Sequence, residues 1–415
     1  MNLEYFIARR SERESKSQEP SIMMRVATVA VALGVVVMII TIAVIGGFKS
    51  QINAKLSGLS GHVVVTHTRG VQPSQGLYIE DSPSLDQIIC DEPSLTRQSS
   101  YILRGAIARA GGVIEGVVVK GVDSLYNTPF FERHITSGEL PQFGTGRSRR
   151  EVLISKSLAD DMTLDVGQRL ELLFGDESGG EISRLTFKVA GIFASGIGEI
   201  EKRVIVADIE TLRGVNGWGP SQISGREIWI NEINNGDEIA ENINKKITFD
   251  TDSKLEQIRA LSLQEIYPSL FDWLNTHNIN GVVVISIMMI VALFNMVTAL
   301  LILVLERTQM IGVLKALGMT NESLRKIFLY RSMSVIFRGL AWGNAIALVL
   351  CGVQSRWGVL KLEASGYMLS EVPIELGVGW IVGLNLGVVV VVLAVMTIPT
   401  RIVATIKPDE IMKYK

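Results

Sequence analysis

The sequence predicts a polytopic α-helical membrane protein in which four transmembrane helices hold one large extracytoplasmic α+β domain, inserted between the first helix and the second. Three observations predict it. In a chain of 415 residues, 47% are apolar and the mean hydropathy is +0.32, so part of the length belongs in lipid. Four stretches are free, or nearly free, of charge, and each is long enough to cross about 30 Å of hydrocarbon. Lysine and arginine collect in the connections at one side of those stretches and thin out at the other, which is how orientation is written into a multi-span chain.

Residues 1–25 are polar and mixed in charge, and no small-x-small cleavage site follows the apolar run behind them. An uncleaved anchor is therefore expected. The first span is 26–48, with no charge between Arg25 and Lys49; as a helix it covers roughly 35 Å. Residues 49–277 form the extracytoplasmic domain. The second span is 278–305 (NINGVVVISIMMIVALFNMVTALLILVL), where Ser286, Asn295 and Thr298 suit a helix–helix face. Residues 306–331 are a cytoplasmic connection. The third span, 332–354, holds Arg338 and Asn344 beside Gly339, Gly343 and Gly352, glycines typical of packed membrane helices. Arg338 either snorkels to the interface or pairs with a neighbouring helix. Residues 355–375 form a short outer loop with Trp357 and Tyr367 as interfacial anchors, and the fourth span, 376–400, closes with Pro399 before Arg401. The tail is 401–415. Arg9, Arg10, Arg13, Lys16 and Arg25, then Arg307, Lys315, Arg325, Lys326 and Arg331, then Arg401, Lys407, Lys413 and Lys415 place both termini and the 306–331 connection in the cytoplasm.

Within 49–277, strand-like and helix-like patterns alternate, so a folded domain is expected and not a tether. Strands are expected at His62–Thr66, Gly116–Lys120, Arg169–Phe174, Leu185–Ile192, Arg203–Val206 and Glu227–Ile230. Helices are expected at Ser84–Cys90, Ser155–Met162, Ile209–Val215 and Asp237–Ile247, each opening near a capping Ser or Asp. Phe143–Arg150 (FGTGRSRR) reads as a surface connection between subdomains, with a second break at Asn216–Gly225.

Several chemistries are excluded. The formal net charge of -2 gives no basic field to recruit nucleic acid. No Gly-x-x-x-x-Gly-Lys-[Ser/Thr] loop exists, and Gly46-Gly47-Phe48-Lys49-Ser50 lacks the spacing that wraps backbone N–H groups round a phosphate. The four histidines, His62, His67, His134 and His277, have no carboxylate or cysteine at ligand spacing. No Gly-x-Ser-x-Gly elbow occurs, and two cysteines, Cys90 and Cys351, cannot make a disulfide framework. No catalytic, metal or cofactor-binding residue is expected in this chain.

The informative segment is Glu306–Arg331, ERTQMIGVLKALGMTNESLRKIFLYR. Ile311, Leu314 and Leu317 stand near helical spacing, with Gly318 where a left-handed cap falls. Thr320 or Asn321 then caps a second helix with Leu324, Ile327 and Phe328 on one face, leading into the third span. The segment is either an interfacial hairpin lying on the bilayer or a docking element for a cytoplasmic partner.

Glu306-Arg307 followed by Met310-Ile311-Gly312-Val313-Leu314-Lys315-Ala316-Leu317-Gly318 resembles the hallmark of FtsX-like permeases. Gly46-Gly47-Phe48 with Leu59-Ser60-Gly61-His62-Val63, and Phe294-Asn295-Met296, are similar to the lipoprotein-releasing members. So are Val152–Ala159 with Val166-Gly167, Phe187–Phe193, Pro399 and Pro408-Asp409-Glu410-Ile411. One departure is Glu199-Ile200-Glu201, where relatives carry an acidic-aromatic-Asp turn. The resemblance implies a permease subunit in the cell inner membrane, with its large domain in the periplasm. That domain would have a porter-like part from His62–Val122 and Glu227–Ile266, with an inserted smaller subdomain. It also implies a second permease copy or a paralogue, and two copies of a separate cytoplasmic ABC ATPase that binds the ATP, this chain holding no cofactor. The ATPase-coupling helix would comprise Gln309, Ile311, Gly312, Val313, Leu314, Lys315, Leu317 and Gly318. The work would be extraction of lipoproteins from the membrane toward a periplasmic carrier. Met288, Met289, Phe294, Asn295 and Met296 would face lipid or substrate, methionine being an adaptable packing partner; ordinary helix packing is the alternative for each. Two other functions fit the same architecture, a mechanotransmission permease for export or cell-envelope regulation and a membrane receptor or scaffold.

Overall fold

The computed structural model describes residues 22–73, 77–146, 148–175, 182–231, 235–306, 308–362, 369 and 371–405. The chain divides into two compact units, one of Met1–Phe48, Leu274–Leu360 and Val372–Lys415, the other of Lys49–Trp273 and Lys361–Glu371.

Helix α1 (Ile22–Ser60) begins in the first unit and ends in the second. The second unit then runs β1 (Val63–His67), β2 (Ile79–Glu80), α2 (Pro83–Cys90), β3 (Leu95–Ala110), β4 (Val113–Val122), α3 (Thr128–His134) and β5 (Ile135–Gly138). It continues with β6 (Glu151–Ser155), α4 (Lys156–Met162), β7 (Arg169–Phe174), β8 (Ser183–Phe193), α5 (Gly198–Glu201), β9 (Val204–Asp208) and α6 (Ile209–Asn216). β10 (Gln222–Ile223), β11 (Gly225–Ile230), α7 (Gly236–Phe249), β12 (Ile258–Ser262) and α8 (Leu263–Ile266) follow. Each strand and helix expected from the pattern overlaps an observed element of its own type. The caps are the reason the helices start where they do: Ser82, Ser155 and Asp208 accept from the N–H groups of Leu85, Leu158 and Glu210. Ser262 and Glu265 close a reciprocal capping box, which satisfies two of the donors that a helix start leaves open.

The main sheet has the order β12-β1-β11-β3-β4-β9-β6-β8-β5, with β7 joined to β3 and β8. Strand β3 organises it. Its first half, Leu95–Tyr101, pairs with β11, and its second half pairs with β4 and β7. Two apolar cores lie along this one sheet. Val63, Val65, Ile228 and Ile230 pack with α2 and α7, while Ile102, Val119, Val152, Ile205 and Leu212 form the second core. A third, aromatic cluster joins Leu59 of α1 to Tyr126, Phe130, Phe131, Phe193 and Trp229. The Phe143–Arg150 stretch runs along the surface, with Gly144, Thr145, Gly146, Arg149 and Arg150 exposed, but it is anchored: Phe143 and Ser148 are buried, and the Gly144 N–H donates to Asp208 Oδ2 at 2.7 Å. Gly144 has φ +70, and a Cβ there would meet Ser124 N at 2.4 Å, so this glycine lets the segment press against the fold.

In the first unit, α1, α9 (Pro268–Glu306), α10 (Thr308–Ala316), α11 (Asn321–Trp357) and α12 (Val378–Thr405) pack round one apolar core. Among the described residues, Met24–Ser60, Pro268–Thr298 and Asn321–Trp357 are long and apolar enough to cross a membrane, and α12 contributes a shorter apolar stretch, Val378–Ala394. Two glycines of the third expected span, Gly339 and Gly343, set the distance between α11 and α1. A Cβ on Gly343 would meet Val35 Cβ at 2.8 Å, and one on Gly339 would meet Val31 Cγ1 at 2.7 Å. Small residues at such crossings admit close backbone approach where lipid offers no hydrophobic drive. Asn344 and Asn385 exchange amide hydrogen bonds between α11 and α12 at 2.7 and 2.9 Å.

Candidate functional site

Helix α10 is short, and its sequence decides what holds it. Ile311 is fully buried and Leu314 packs beside it on the core that α11 supplies through Leu324, Ile327 and Phe328. Gly318 terminates the helix with φ +88. Its N–H donates to Lys315 O and the Met319 N–H donates to Leu314 O, both at 3.0 Å, the pairing that satisfies the last open carbonyls of a helix. Thr320, of the two capping residues expected, is the one that accepts from Ser323 N at 3.3 Å, opening α11.

This anchoring sorts the expected coupling residues by face. Val313 is 60% exposed and Leu317 78% exposed, so they present apolar surface away from the core that Ile311 and Leu314 join. Gly312 and Lys315 are half-buried and Gly318 is exposed. Gln309 lies in the helix, its side chain outside the described ones. The sequence treats Ile311, Leu314 and Leu317 as one stripe; in the fold Ile311 and Leu314 hold the helix and Leu317 projects.

The five residues expected to face lipid or substrate on α9 also separate. Phe294 is 70% exposed and Asn295 is exposed, whereas Met288 and Met289 are half-buried against the helical core. Met296 is 2% exposed and belongs to that core. The expectation for Met296 is thus corrected: its register on α9 turns it toward the neighbouring helices. Arg338 is exposed on α11. Pro408-Asp409-Glu410-Ile411 and Tyr367 lie outside the described residues.

The second unit gathers buried polar groups that sequence reading missed. Lys120 on β4 and Glu227 on β11 form a buried ion pair at 2.6 Å, separated by 107 positions in the chain. Burial pushes the Glu227 carboxyl up and the Lys120 ammonium down, against the charge of the other. The departing turn Glu199-Ile200-Glu201 is likewise structural. Glu201 is buried and accepts from the Ser195 N–H at 2.8 Å, from the Ser195 hydroxyl, and from the Gly196 N–H at 3.2 Å.

Comparison with known proteins agrees along the length of the chain. Residues 26–246 match the family described as the MacB-like periplasmic core domain, and residues 282–408 match the FtsX-like permease C-terminal family. The lipoprotein-releasing system transmembrane protein LolE of Haemophilus influenzae is 21% identical over 99% of this chain and 99% of its own. LolC of Xylella fastidiosa, a transmembrane protein of the same system, is 20% identical over 93% of this chain and 92% of its own. Among solved structures, the periplasmic region of MacB from Actinobacillus actinomycetemcomitans aligns with 51% of this chain and 92% of its own, at 11% identity and TM-score 0.33. The periplasmic-core match alone covers more than half of the sequence, and with the second match following it, the chain belongs to the FtsX-like permeases that carry a MacB-like periplasmic core domain.

Proposed function

We propose that this chain is the membrane-spanning, non-hydrolysing subunit of an ABC transporter that frees lipoproteins from the inner membrane, driven by a separate cytoplasmic ATPase. The observation that carries the reading is similarity over nearly the whole length of both proteins to transmembrane subunits of lipoprotein-releasing systems. Four helices span the bilayer, the fourth being α12, with 306–331 and both termini in the cytoplasm and the unit around β1–β12 in the periplasm. A second permease, identical or paralogous, completes the pore, and a lipoprotein and its carrier meet the periplasmic side. Phe294, with Met288 and Met289 beside it, faces lipid or an acyl chain.

The ATPase grips α10. A docking helix must present apolar knobs and must itself be rigid, or the partner's movement is lost in bending. Val313 and Leu317 supply the first requirement, and buried Ile311 with half-buried Leu314 the second. Such a helix-in-groove contact is read from anchors spaced three or four residues apart on one face, as Val313 and Leu317 are. Replacing both Val313 and Leu317 by Asp leaves the chain inserted and folded while the ATPase no longer co-purifies. Ile311→Asp instead lowers the yield of folded chain, because a carboxylate placed in the core costs several kcal/mol. Undiminished co-purification of the ATPase with the Val313→Asp, Leu317→Asp chain would refute the docking role.

A further inference from the structure

The last turn of α1 is held by side chains from β4, from β11 and from the connection between β4 and α3. A helix leaves its final carbonyls short of internal partners; here Ser57 O already accepts from the Gly61 N–H at 2.9 Å, and it and the next two carbonyls are taken by side chains. Trp229 Nε1 donates to Ser57 O at 2.7 Å, Asn127 Nδ2 to Gly58 O at 3.5 Å, and both Lys120 Nζ and Tyr126 Oη to Leu59 O at 2.6 and 2.7 Å. The remaining protons of the Lys120 ammonium go to Tyr126 Oη at 2.7 Å and to Glu227 Oε1 at 2.6 Å, so all three of its donors are used. The chain itself continues the grip. Gly61 turns with φ +72, a Cβ there meeting Ile228 N and O at 3.0 Å, and the His62 N–H donates to Ile228 O at 2.8 Å.

The pair lies across β3, since β11 and β4 flank that strand, and Lys120 Nζ sits 5.7 Å from the Tyr101 ring centre. Ser60 Oγ meets Tyr267 Oη at 3.3 Å, and Tyr267 immediately precedes α9. One polar cluster therefore fastens the end of the first long helix to two strands and to the residue that starts the second.

A buried ion pair is a poor way to gain stability, because desolvating both charges offsets most of their attraction and apolar replacements of similar volume serve as well. What the charge does here is specific: an ammonium at a helix C-terminus meets the negative end of the helix dipole and binds a named carbonyl. We propose that Lys120, Glu227 and Tyr126 are positioning residues of a rigid joint that makes the end of α1 and the outer sheet move as one body, so that displacement of the helix is delivered to the periplasmic domain. The proposal rests on the transporter reading above and identifies where in the fold its movement is handed over.

The test uses the full chain with its co-purifying ATPase in proteoliposomes, with a purified triacylated lipoprotein as substrate and spin labels at Ala54→Cys and Ile114→Cys in a Cys90→Ser background. The variant is Lys120→Met with Glu227→Leu, which keeps volume and removes both charges; Tyr126→Phe keeps both charges and removes the hydroxyl that donates to Leu59 O and accepts from Lys120 Nζ. In the wild type the label separation stays single and narrow with and without ATP. In the double variant it broadens when ATP is added, and lipoprotein released per ATP hydrolysed falls roughly tenfold to a hundredfold, the scale expected when a working geometry slips by about an ångström. Tyr126→Phe gives a smaller loss of the same kind. A double variant whose label distribution stays as narrow as the wild type's, or whose release per ATP is unchanged, overturns the joint. Should the wild type release no lipoprotein, it is the transporter reading that fails, and the joint is then decided on the label separation alone.

Discussion

At the residue scale, His62 shows what the close seating of the helix end costs. Its Nδ1 accepts from the Ile230 N–H at 3.2 Å, which puts the ring proton on Nε2, and that atom is buried without a hydrogen-bond partner among the described residues. Burial lowers its pKa from 6.5 to about 4. In the unfolded chain the ring takes up a proton near 6.5, while in the fold it resists until about 4. Stability is therefore full above pH 6.5 and declines as pH falls from there toward 4, because the unfolded state binds the extra proton. With each pH unit worth about 1.4 kcal/mol and some allowance for screening, roughly 1–2 kcal/mol is lost by pH 5. Unfolding of the purified chain at pH 7.5 and pH 5, compared with His62→Gln, isolates this contribution. The wild type loses more stability on acidification than the variant does; equal slopes would assign the pH response to other groups.

At the scale of elements, the Asn344–Asn385 pair fixes α12 against α11. Each amide also donates to the carbonyl one turn back in its own helix, at Leu340 O and Ile381 O, so both side chains are oriented before they meet. Removing one partner leaves a half-buried amide oxygen unsatisfied, while removing both leaves none, and the former is the more expensive change. Asn344→Leu should lower the melting temperature of the detergent-purified chain further than Asn344→Leu with Asn385→Leu does. The coupling between the two sites should be about 1 kcal/mol, within the range found for hydrogen bonds between membrane helices. Additive losses would show that the helices are held by packing alone. The same elements show what local pattern reveals. Val63–His67 and Val113–Val122 were legible because β-branched residues cluster there, and α2, α4 and α6 because their caps precede them. Strand β3 was not, since its polar start, LTRQSS, and Gly105 hide a strand whose fitness comes from partners far away in sequence. Nor was the Lys120–Glu227 pair: a lysine near a strand end reads as solvated, and only the order β11-β3-β4 makes it an interior group. On α10 the apolar spacing was legible, but which apolar residues anchor and which project depends on α11.

At the scale of the whole molecule, the transporter reading stands on sidedness. The hairpin must lie with the ATPase, while the unit bearing Cys90 lies across the bilayer. The two cysteines make this directly measurable, because Cys90 is exposed, Cys351 is buried and both are free thiols. In spheroplasts a membrane-impermeant maleimide should label the wild type at Cys90. In a Cys90→Ser chain carrying Leu317→Cys, the same reagent should label nothing until the membrane is permeabilised. The exposure of Leu317 ensures that a silent result before permeabilisation reflects sidedness and not burial in the chain itself. Stripped membranes without the ATPase guard against shielding by the partner. Arg25, Lys315, Arg325, Lys326 and Arg331 predict this outcome, since basic residues beside short loops stay on the side from which the chain inserts. Labelling of the Leu317→Cys chain in sealed spheroplasts would invert the orientation, leaving α10 beyond the reach of any cytoplasmic ATPase and the joint at α1 with no source of movement.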